Sequence, residues 1–227
     1  MLRIFIGYDP RQPVSYNVLQ DSIVANSSQP VAITPLVLRT LPITRKSLTE
    51  FTFSRFLVPY LCNYEGWGLF LDADIVLRGD IAELFNFAND QYAVMVSKNV
   101  HKFEWASVML FNCAKNKILT PEYVDDVNTQ GLHGINWCDA SEVGELPGEW
   151  NHLVGYDPPR SDAQLIHYTQ GVPYFEETAR CEYAPAWQHY HKHMNLSVPW
   201  VDFMGTSVHT KRLANGRVVP KLYQEGT

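Results

Sequence analysis

The sequence predicts a single-domain α/β fold in which helices flank a mostly parallel central sheet. The chain opens with an apolar run at residues 2–8, a helical pattern at 13–26 and a second strand pattern at 31–38. A strand–helix–strand opening is typical of a parallel sheet. Later runs of strand length alternate with helical patterns. The 227 residues contain no internal repeat, linker or low-complexity tract, which favours one domain.

The first strand ends at Gly7, before an Asp9-Pro10 turn, and Pro30 and Pro35 bracket the second. The next element is an amphipathic helix over residues 53–61, where apolar side chains recur at i, i+3, i+4, i+7 and i+8. Residues 47–50 ahead of it resemble a capping box.

An apolar strand at 67–71 runs directly into Asp72-Ala73-Asp74, and residues 75–77 resume the apolar character. A turn at 78–80 then leads into a short helix. The remaining predicted elements are strands at 92–97, 108–112, 143–146 and 165–168, helices at 81–87, 121–128 and 186–194, a loop at 129–140 and an irregular tail at 198–227.

Composition excludes several classes of partner. The net charge is −6, and no run of Lys and Arg exceeds two residues, which argues against a nucleic-acid partner. No stretch reaches the roughly 20 apolar residues of a membrane span, and the apolar start is too short for a signal peptide. The four cysteines form no Cys-x-x-Cys pair. We therefore expect a reduced, cytoplasmic protein.

Asp72 and Asp74 carry the main chemical signal. Two carboxylates one residue apart at the end of an apolar strand can converge on one cation, and hard oxygen ligands suit Mg²⁺ or Mn²⁺ bound to phosphate oxygens. In open α/β sheets, ligands bind outside the carboxyl ends of the strands, where this pair is expected. A solvated turn is the alternative without function, but two unpaired acids directly after a buried strand are costly without a counter-charge.

The same residues also fit the nucleophile motif of haloacid-dehalogenase-type phosphatases, with Asp72 attacking phosphorus and Asp74 as acid/base. That family carries its motif on the first strand, whereas a strand–helix–strand precedes it here. The later acidic pair would have to be Asp125-Asp126, which lies in a helical pattern. A non-catalytic sugar-binding module is a third class.

Six ordered stretches resemble glycosyltransferase family eight and its GT-A relatives. They are residues 52–59, 68–76, 79–85, 107–112, 146–151 (the family's Leu-Pro-x-x-Trp-Asn segment) and 165–169 (its late His motif), so the resemblance covers about residues 1–175. It implies a GT-A fold with a nucleotide-binding half to about residue 80, an acceptor-binding half over about 81–200 and a tail at 201–227.

The resemblance also implies site residues. The metal ligands are Asp72, Asp74 and His167, holding Mn²⁺ or Mg²⁺. The residues that bind the donor nucleotide sugar are Tyr8, Asp9, Arg55, Asp72, Ala73, Asp74 and Asn112, with Tyr8 and Asp9 at the uracil and ribose. The acceptor or sugar pocket takes Trp137, Trp150 and Asn151. From the residues alone, His167 could equally be a hydrogen-bonded core histidine, and Arg55 a core or surface arginine.

The sequence departs from the family after His167. A Lys that neutralises the leaving diphosphate usually follows, but residues 168–174 contain none. The negative charge of the leaving diphosphate must then be neutralised by the metal, by Arg55 or by a basic residue from elsewhere in the chain. Lys211 and Arg212 are candidates if the tail closes over the site as a lid, although two solvated surface cations fit equally well.

Two other groups carry weaker signals. Residues expected on the acceptor side are Gln130, His133, Trp137 and Asp139. His189 and His193 lie on one helical face as a possible zinc pair, but the absence of an evident third ligand favours a surface cluster. No residue is assigned as a catalytic base.

The resemblance implies a metal-dependent hexosyltransferase. It would move a hexose from a nucleoside diphosphate sugar, with a UDP-sugar such as UDP-glucose or UDP-galactose favoured, to a saccharide or other hydroxyl acceptor. Retention of anomeric configuration is implied by the family and not by any individual residue. The bound metal would stabilise the departing diphosphate electrostatically.

Overall fold

The computed structural model describes residues 1–199, together with the strands at 210–212 and 218–220. Its strands in chain order are β1 (Leu2–Gly7), β2 (Val31–Leu36), β3 (Trp67–Leu71), β4 (Ile75–Leu77), β5 (Val94–Ser97), β6 (Val108–Asn112), β7 (Val143–Leu146), β8 (His152–Leu153), β9 (Leu165–His167), β10 (Thr210–Arg212) and β11 (Val218–Pro220). Its helices are α1 (Pro13–Asn26), α2 (Val58–Leu61), α3 (Ile81–Phe85), α4 (Pro121–Asp126), α5 (Thr129–His133) and α6 (Ala184–His193).

Six strands form the central sheet, in the order β2-β1-β3-β6-β5-β7. The β1–β2, β1–β3 and β5–β7 pairs are parallel, whereas β6 runs antiparallel to both of its neighbours. The predicted α/β fold with a mostly parallel sheet is therefore confirmed. A smaller sheet, β4-β9-β8, lies beside it in the chain's first unit.

Both faces of the central sheet are buried, which explains why its strands read as continuous apolar runs. Side chains alternate between faces along a strand. Ile4 and Ile6 of β1 join Leu69 and Leu71 of β3 in the core cluster that includes α1, while Phe70 points into the opposite cluster. Phe70 is fully buried, so we estimate that truncation to alanine costs about 3–5 kcal/mol.

The predicted helix over 53–61 is wrong in its length. A 3₁₀ turn spans Ser54–Leu57, and α2 is only the following four residues. Pro59 lacks an N–H and so cannot make the hydrogen bond that would continue an α-helix through this segment. The residues read as a capping box form turns in which Thr52 N donates to Thr49 O at 3.3 Å.

The chain divides into a unit over residues 1–194 and a second over 195–227. In the second unit β10 and β11 pair antiparallel, where the sequence predicted an irregular tail. The rest of the predicted lid lies outside the described residues, so the role of Lys211 and Arg212 stays a prediction. No helix in the described part of the chain has the length and hydropathy of a membrane span. The cytoplasmic location also stays a prediction.

Candidate active site

Asp72 leaves the end of β3 with its backbone still in the sheet, because its N–H donates to Ser107 O at 2.9 Å. Its carboxylate faces the guanidinium of Arg55, with Arg55 Nη2 2.9 Å from Oδ1 and Nη1 3.3 Å from Oδ2. Arg55 also donates to Ala106 O at 2.8 Å and to Thr52 O at 3.2 Å. These contacts fix the position of Asp72.

Arg55 itself is buried, 6% exposed, and its carbon Cζ lies 4.9 Å from the centre of the Phe70 ring. A buried guanidinium requires a counter-charge and acceptors, which Asp72 and two carbonyls provide. The structure thus places Arg55 behind Asp72, with its nitrogens bonded to protein oxygens. The contact of Arg55 with the donor stays a prediction.

The register of the small sheet brings His167 to the acidic pair. In the antiparallel β4–β9 pairing, Ile75 lies opposite His167, so the preceding residue, Asp74, lies beside the end of β9. Tyr168 N donates to Asp74 O at 2.9 Å. As a result His167 Nε2 is 3.3 Å from Asp74 Oδ1. Strand pairing alone accounts for this contact between residues distant in sequence.

The other ring nitrogen of His167 defines the tautomer. Nδ1 lies 3.2 Å from Asn151 Oδ1, and the Asn151 amide nitrogen donates to Glu104 O at 3.1 Å. The amide oxygen therefore faces the ring, and the neutral imidazole carries its proton on Nδ1. Its Nε2 lone pair then points at the Asp74 carboxylate. Two electron-rich atoms at this distance repel each other unless a proton or a cation lies between them.

Asp72, Asp74 and His167 fit a divalent cation. One ligand atom from each lies within 4.8 Å of the others. Bonds of about 2.0–2.1 Å to Mg²⁺ place opposite ligands about 4 Å apart, so this spacing is suitable. Oδ1 of Asp72 and Oδ1 of Asp74 are both buried; among the described residues, the first has only the ion-pair contact with Arg55 and the second only the contact with His167, neither with hydrogen-bond geometry. Burial raises the pKa of Asp72 to about 6, partly opposed by Arg55.

A cleft of about 460 Å³ opens beside Asp74 at the carboxyl end of β1. Its lining combines a few charged or polar groups with apolar walls: Asp9, Arg11, Gln12, Ser15, Leu48, Thr49, Phe51, Ala73, Asp74, Thr169, Gly171, Val172 and Phe175. Gly7 is required here, because a Cβ at this position would lie 2.5 Å from the Phe51 ring, which forms one wall. The predicted donor residues Asp9, Ala73 and Asp74 all line this cleft.

Asp9 and Arg11 form a bidentate pair in the cleft. Arg11 Nε is 2.9 Å from Asp9 Oδ1, Nη2 is 2.6 Å from Oδ2, and the Arg11 backbone N–H also donates to Oδ1 at 3.0 Å. The hydrogen bonds from Arg11 lower the pKa of Asp9 and keep it ionised. The sequence analysis missed Arg11, although its place two residues after Asp9 in a loop that follows a strand is a usable signal.

Tyr8 lines a second cleft, of about 660 Å³, and packs edge-on against Tyr16 with ring centres 5.6 Å apart. Residues from the β2 end of the sheet form its far side, among them Val37, Leu38 and Arg39. Tyr8 and Asp9 are adjacent in sequence but line different clefts. A ligand that contacts both must extend from one cleft to the other.

Three predicted pocket residues lie elsewhere. Asn112 pairs with Trp67, whereas Leu71, next to Asp72, pairs with Val108. Because β6 runs antiparallel to β3, Asn112 lies about 13 Å from the Asp72 end of the strand pair. Trp150 is 2% exposed and belongs to the core.

Trp137 is also a core residue. Its indole nitrogen donates to Asn116 Oδ1 at 2.8 Å, and its ring packs edge-on against Phe56. Its exposure is 8%, so the stacking face predicted for a sugar is covered by protein.

Another cleft, of about 370 Å³, contains two of the residues expected on the acceptor side. Gln130 and His133 line it with Lys102, Phe103, Thr129 and Gly134. The Phe103 ring is stacked on His133, with ring centres 4.9 Å apart and an interplanar angle of 2°. Phe103 is nevertheless 62% exposed. The next residue, Glu104, lies near the candidate metal ligands, because its Oε2 is 4.0 Å from His167 Nδ1. Glu104 was not anticipated from the sequence. Asp139 is exposed and precedes a 3₁₀ turn.

The phosphatase alternative is not favoured. Asp125 accepts hydrogen bonds from the backbone of Thr44 and Arg45, in a loop, at 3.0 and 3.1 Å. Among the described residues, the group with metal-ligand spacing is Asp72, Asp74 and His167, without Asp125 or Asp126.

The His189–His193 pair is a stacked surface pair. Its ring centres are 6.3 Å apart, and His193 Nδ1 contacts Asp21 Oδ2 at 2.7 Å. Neither histidine belongs to the described group with metal-ligand spacing.

Known proteins similar to this chain include a family, a plant relative and several solved structures. The model of the family "Glycosyl transferase family 8" matches residues 16–123. Protein CDI of Arabidopsis thaliana is 37% identical over 219 residues, which cover 82% of this chain and 84% of that protein.

Two solved structures share the fold. The galactosyltransferase LgtC, in complex with donor and acceptor sugar analogues, has a TM-score of 0.64 at 13% identity, covering 88% of this chain and 99% of its own. The bifunctional glycosyltransferase WbbM has a TM-score of 0.63 at 14% identity, covering 90% of this chain and 51% of its own. This chain therefore spans about half the length of WbbM. The predicted GT-A fold is confirmed, and the chain belongs to glycosyl transferase family 8 and is a glycosyltransferase.

Proposed function

We propose that this glycosyltransferase moves a hexose from a UDP-sugar to the hydroxyl of a saccharide or other acceptor, with retention of configuration and with Mn²⁺ or Mg²⁺ bound. The observation that carries the proposal is the convergence of Asp72, Asp74 and His167 beside a cleft suited to a nucleotide. A cation held by these ligands would supply electrostatic stabilisation to the diphosphate of the donor.

The protein's own residues prepare this site. Arg55 holds Asp72, and Asn151 orients His167 so that Nε2 faces the carboxylates. Asp9, kept ionised by Arg11, is an acceptor for the hydroxyl groups of a ribose. Tyr8 provides an aromatic surface for the base in the neighbouring cleft. UDP is favoured as the nucleotide because of the resemblance to family eight.

We also propose that the two halves of the chain divide the substrates. The clefts beside Asp9 and Tyr8 are formed mainly by residues before 80, with residues 169–175 completing the first. The cleft beside Phe103 is formed by residues 102–134. Phe103 presents an exposed ring held flat on His133, a suitable stacking surface for an acceptor sugar, and Thr129 and Gln130 offer polar groups beside it. The structure of LgtC in complex with donor and acceptor sugar analogues supports a two-substrate site by analogy.

The transfer is balanced in atoms and charge. The bond from the anomeric carbon to the β-phosphate oxygen breaks, and its electron pair stays on that oxygen. A bond forms from the anomeric carbon to the acceptor oxygen, whose hydroxyl proton is released. UDP leaves with one more negative charge than it carried in the donor, so the site must stabilise anionic charge.

Thermal unfolding with a panel of nucleotide sugars tests the proposal. UDP-glucose or UDP-galactose together with Mn²⁺ should raise the unfolding midpoint, and ADP-glucose should do so less. Asp74→Asn should abolish the shift, because a cation ligand is lost. Asp126→Asn, at an exposed position on α4, is the matched control and should respond like the wild type. The proposal is abandoned if no nucleotide sugar shifts the midpoint with or without Mn²⁺.

A further inference from the structure

The leaving diphosphate is anionic, and the lysine that the family resemblance leads us to expect after His167 is absent. Arg55, one of the candidates, is buried and has its nitrogens on Asp72, Ala106 and Thr52. It can compensate the charge of Asp72 but is not placed to contact a ligand in the cleft. A side-chain cation that contacts the diphosphate is therefore a residue other than Arg55.

Arg11 is the basic residue of the cleft that contains Asp74. Among the described residues that line this cleft, Asp9 and Asp74 are the acids, Arg11 is the base, and the others are neutral. The Arg11 side chain is 65% exposed. It follows β1, at the carboxyl end of the sheet, where ligands bind in open α/β folds.

The geometry of Arg11 leaves one end of its guanidinium available. The Nε–Nη2 edge is bound to Asp9, and Nη2 also donates to Leu48 O at 2.6 Å. No described residue is hydrogen-bonded to Nη1. The turn formed by the Arg11 backbone N–H and Asp9 Oδ1 fixes the base of the side chain. A guanidinium held on one edge needs little reordering to bind a phosphate at its free end.

We propose that Arg11 binds the β-phosphate of the donor and takes the place of the missing lysine in stabilising the leaving UDP. This inference rests on the proposed function. When the bond from the anomeric carbon to the phosphate oxygen breaks, its electron pair stays on that oxygen. The positive charge of the Arg11 guanidinium then stabilises the additional negative charge on the β-phosphate. Charge-assisted hydrogen bonds from arginine to phosphate are strong and directional.

The test compares UDP with UMP, because only UDP has a β-phosphate. Both are titrated calorimetrically into the full chain with Mn²⁺, using wild type, Arg11→Ala, Arg11→Gln and Lys117→Ala. The last variant removes one positive charge from an exposed residue outside the cleft and is the matched control. Either Arg11 variant should weaken UDP about 10-fold to 100-fold. The change for UMP should be less than about threefold, and Lys117→Ala should leave both affinities unchanged.

Other outcomes separate this inference from the proposed function. If wild type binds UDP and the Arg11 variants bind it equally well, the Arg11 assignment is wrong and the transferase proposal stands. Equal losses for UDP and UMP also overturn it, since Arg11 would then act through Asp9 on the nucleoside. If wild type binds neither nucleotide with Mn²⁺, both proposals fail. Unfolding midpoints without ligand, measured for Arg11→Ala and Arg11→Gln, identify a variant that loses affinity by losing its fold.

Discussion

His167 Nδ1 lies 3.2 Å from Asn151 Oδ1, and this contact determines which nitrogen of the ring can bind a metal. Asn151 follows Trp150 in the Leu-Pro-x-x-Trp-Asn segment, and the sequence analysis assigned it to a sugar pocket. Its amide instead connects the ring to the backbone of Glu104. Asn151 is therefore a positioning residue for the candidate metal ligand.

Replacing Asn151 with alanine should weaken Mn²⁺ binding about 10-fold to 100-fold, because loss of a partner that orients a histidine ligand has effects of this size. Asn151→Asp keeps an acceptor for Nδ1–H and should lose less. The measurement is the free Mn²⁺ concentration, followed by electron paramagnetic resonance in the presence of UDP. Unchanged Mn²⁺ affinity in Asn151→Ala would show that the contact does not orient the ligand.

Mn²⁺ affinity should fall as the pH is lowered through about 6. Burial raises the pKa of Asp72 to about 6, so below that pH the carboxyl holds a proton that a cation must displace. Affinity should decrease about tenfold per pH unit for each proton displaced, and the decrease should begin above pH 6 because, although burial opposes it, the Asp74 carboxylate raises the pKa of His167, also a candidate ligand. Calorimetric titrations at pH 7.5, 6.5 and 5.5 measure this. Equal affinities at pH 7.5 and 5.5 would contradict it.

The stability of the fold should decrease in acid because of His133. Burial, with the nearby charge of Arg55, lowers the pKa of His133 to about 4, whereas an unfolded histidine titrates near 6.5. Since the unfolded chain binds the proton more tightly, this stabilisation is present above pH 6.5 and is lost as the pH falls to 4. This difference between the folded and unfolded pKa values of His133 corresponds to about 3 kcal/mol of unfolding free energy.

His133→Phe should remove that acid sensitivity, because the ring packs against Phe53, Phe56 and Phe103 and a phenyl group does not titrate. Urea unfolding between pH 7 and 4 measures it, with His189→Gln at an exposed position as the control. If the free energy of unfolding decreases equally in wild type and His133→Phe between pH 7 and 4, His133 is not the cause of the acid sensitivity.

Phe103→Ala should impair the use of acceptor without affecting donor binding. Loss of a stacking ring should raise the acceptor KM about 3-fold to 10-fold, while hydrolysis of the donor by water stays unchanged. UDP release with and without an acceptor, taken from a panel of glycosides, gives both rates. Phe87→Ala, also partly exposed, is the control, and Phe103→Tyr should restore the wild-type KM. An unchanged acceptor KM in Phe103→Ala would remove Phe103 from the acceptor site.

The strands and helices that have a strong local pattern of apolar residues were predicted well from the sequence. The strands at 67–71, 108–112 and 143–146 and the helix at 13–26 have the predicted bounds, because the strands are short apolar runs and Pro13 is suited to the first turn of the helix. The two-residue β8 and the five-residue α5 carry no such periodicity, and they form through contacts with distant segments.

The site residues also divide into those visible in the local sequence and those whose contacts depend on distant segments. Asp72 and Asp74 are separated by one residue, so the carboxylate pair was visible in the sequence. The bonding of Arg55 to Asp72 and of Asn151 to His167 depends on which segments pair across the sheets. The position of Asn112 was missed for this reason, because the antiparallel direction of β6 could not be read from its residues.

The β4–β9 register has a consequence for how the chain is held together. Asp74 and His167 approach within 3.3 Å although residues 75–166 lie between them in sequence. An ion bound to both would act as a removable crosslink that closes a long loop, and it would favour the native state over the unfolded chain. A chelator should then lower resistance to protease as well as activity, with the first cleavages expected where β9 detaches from β4.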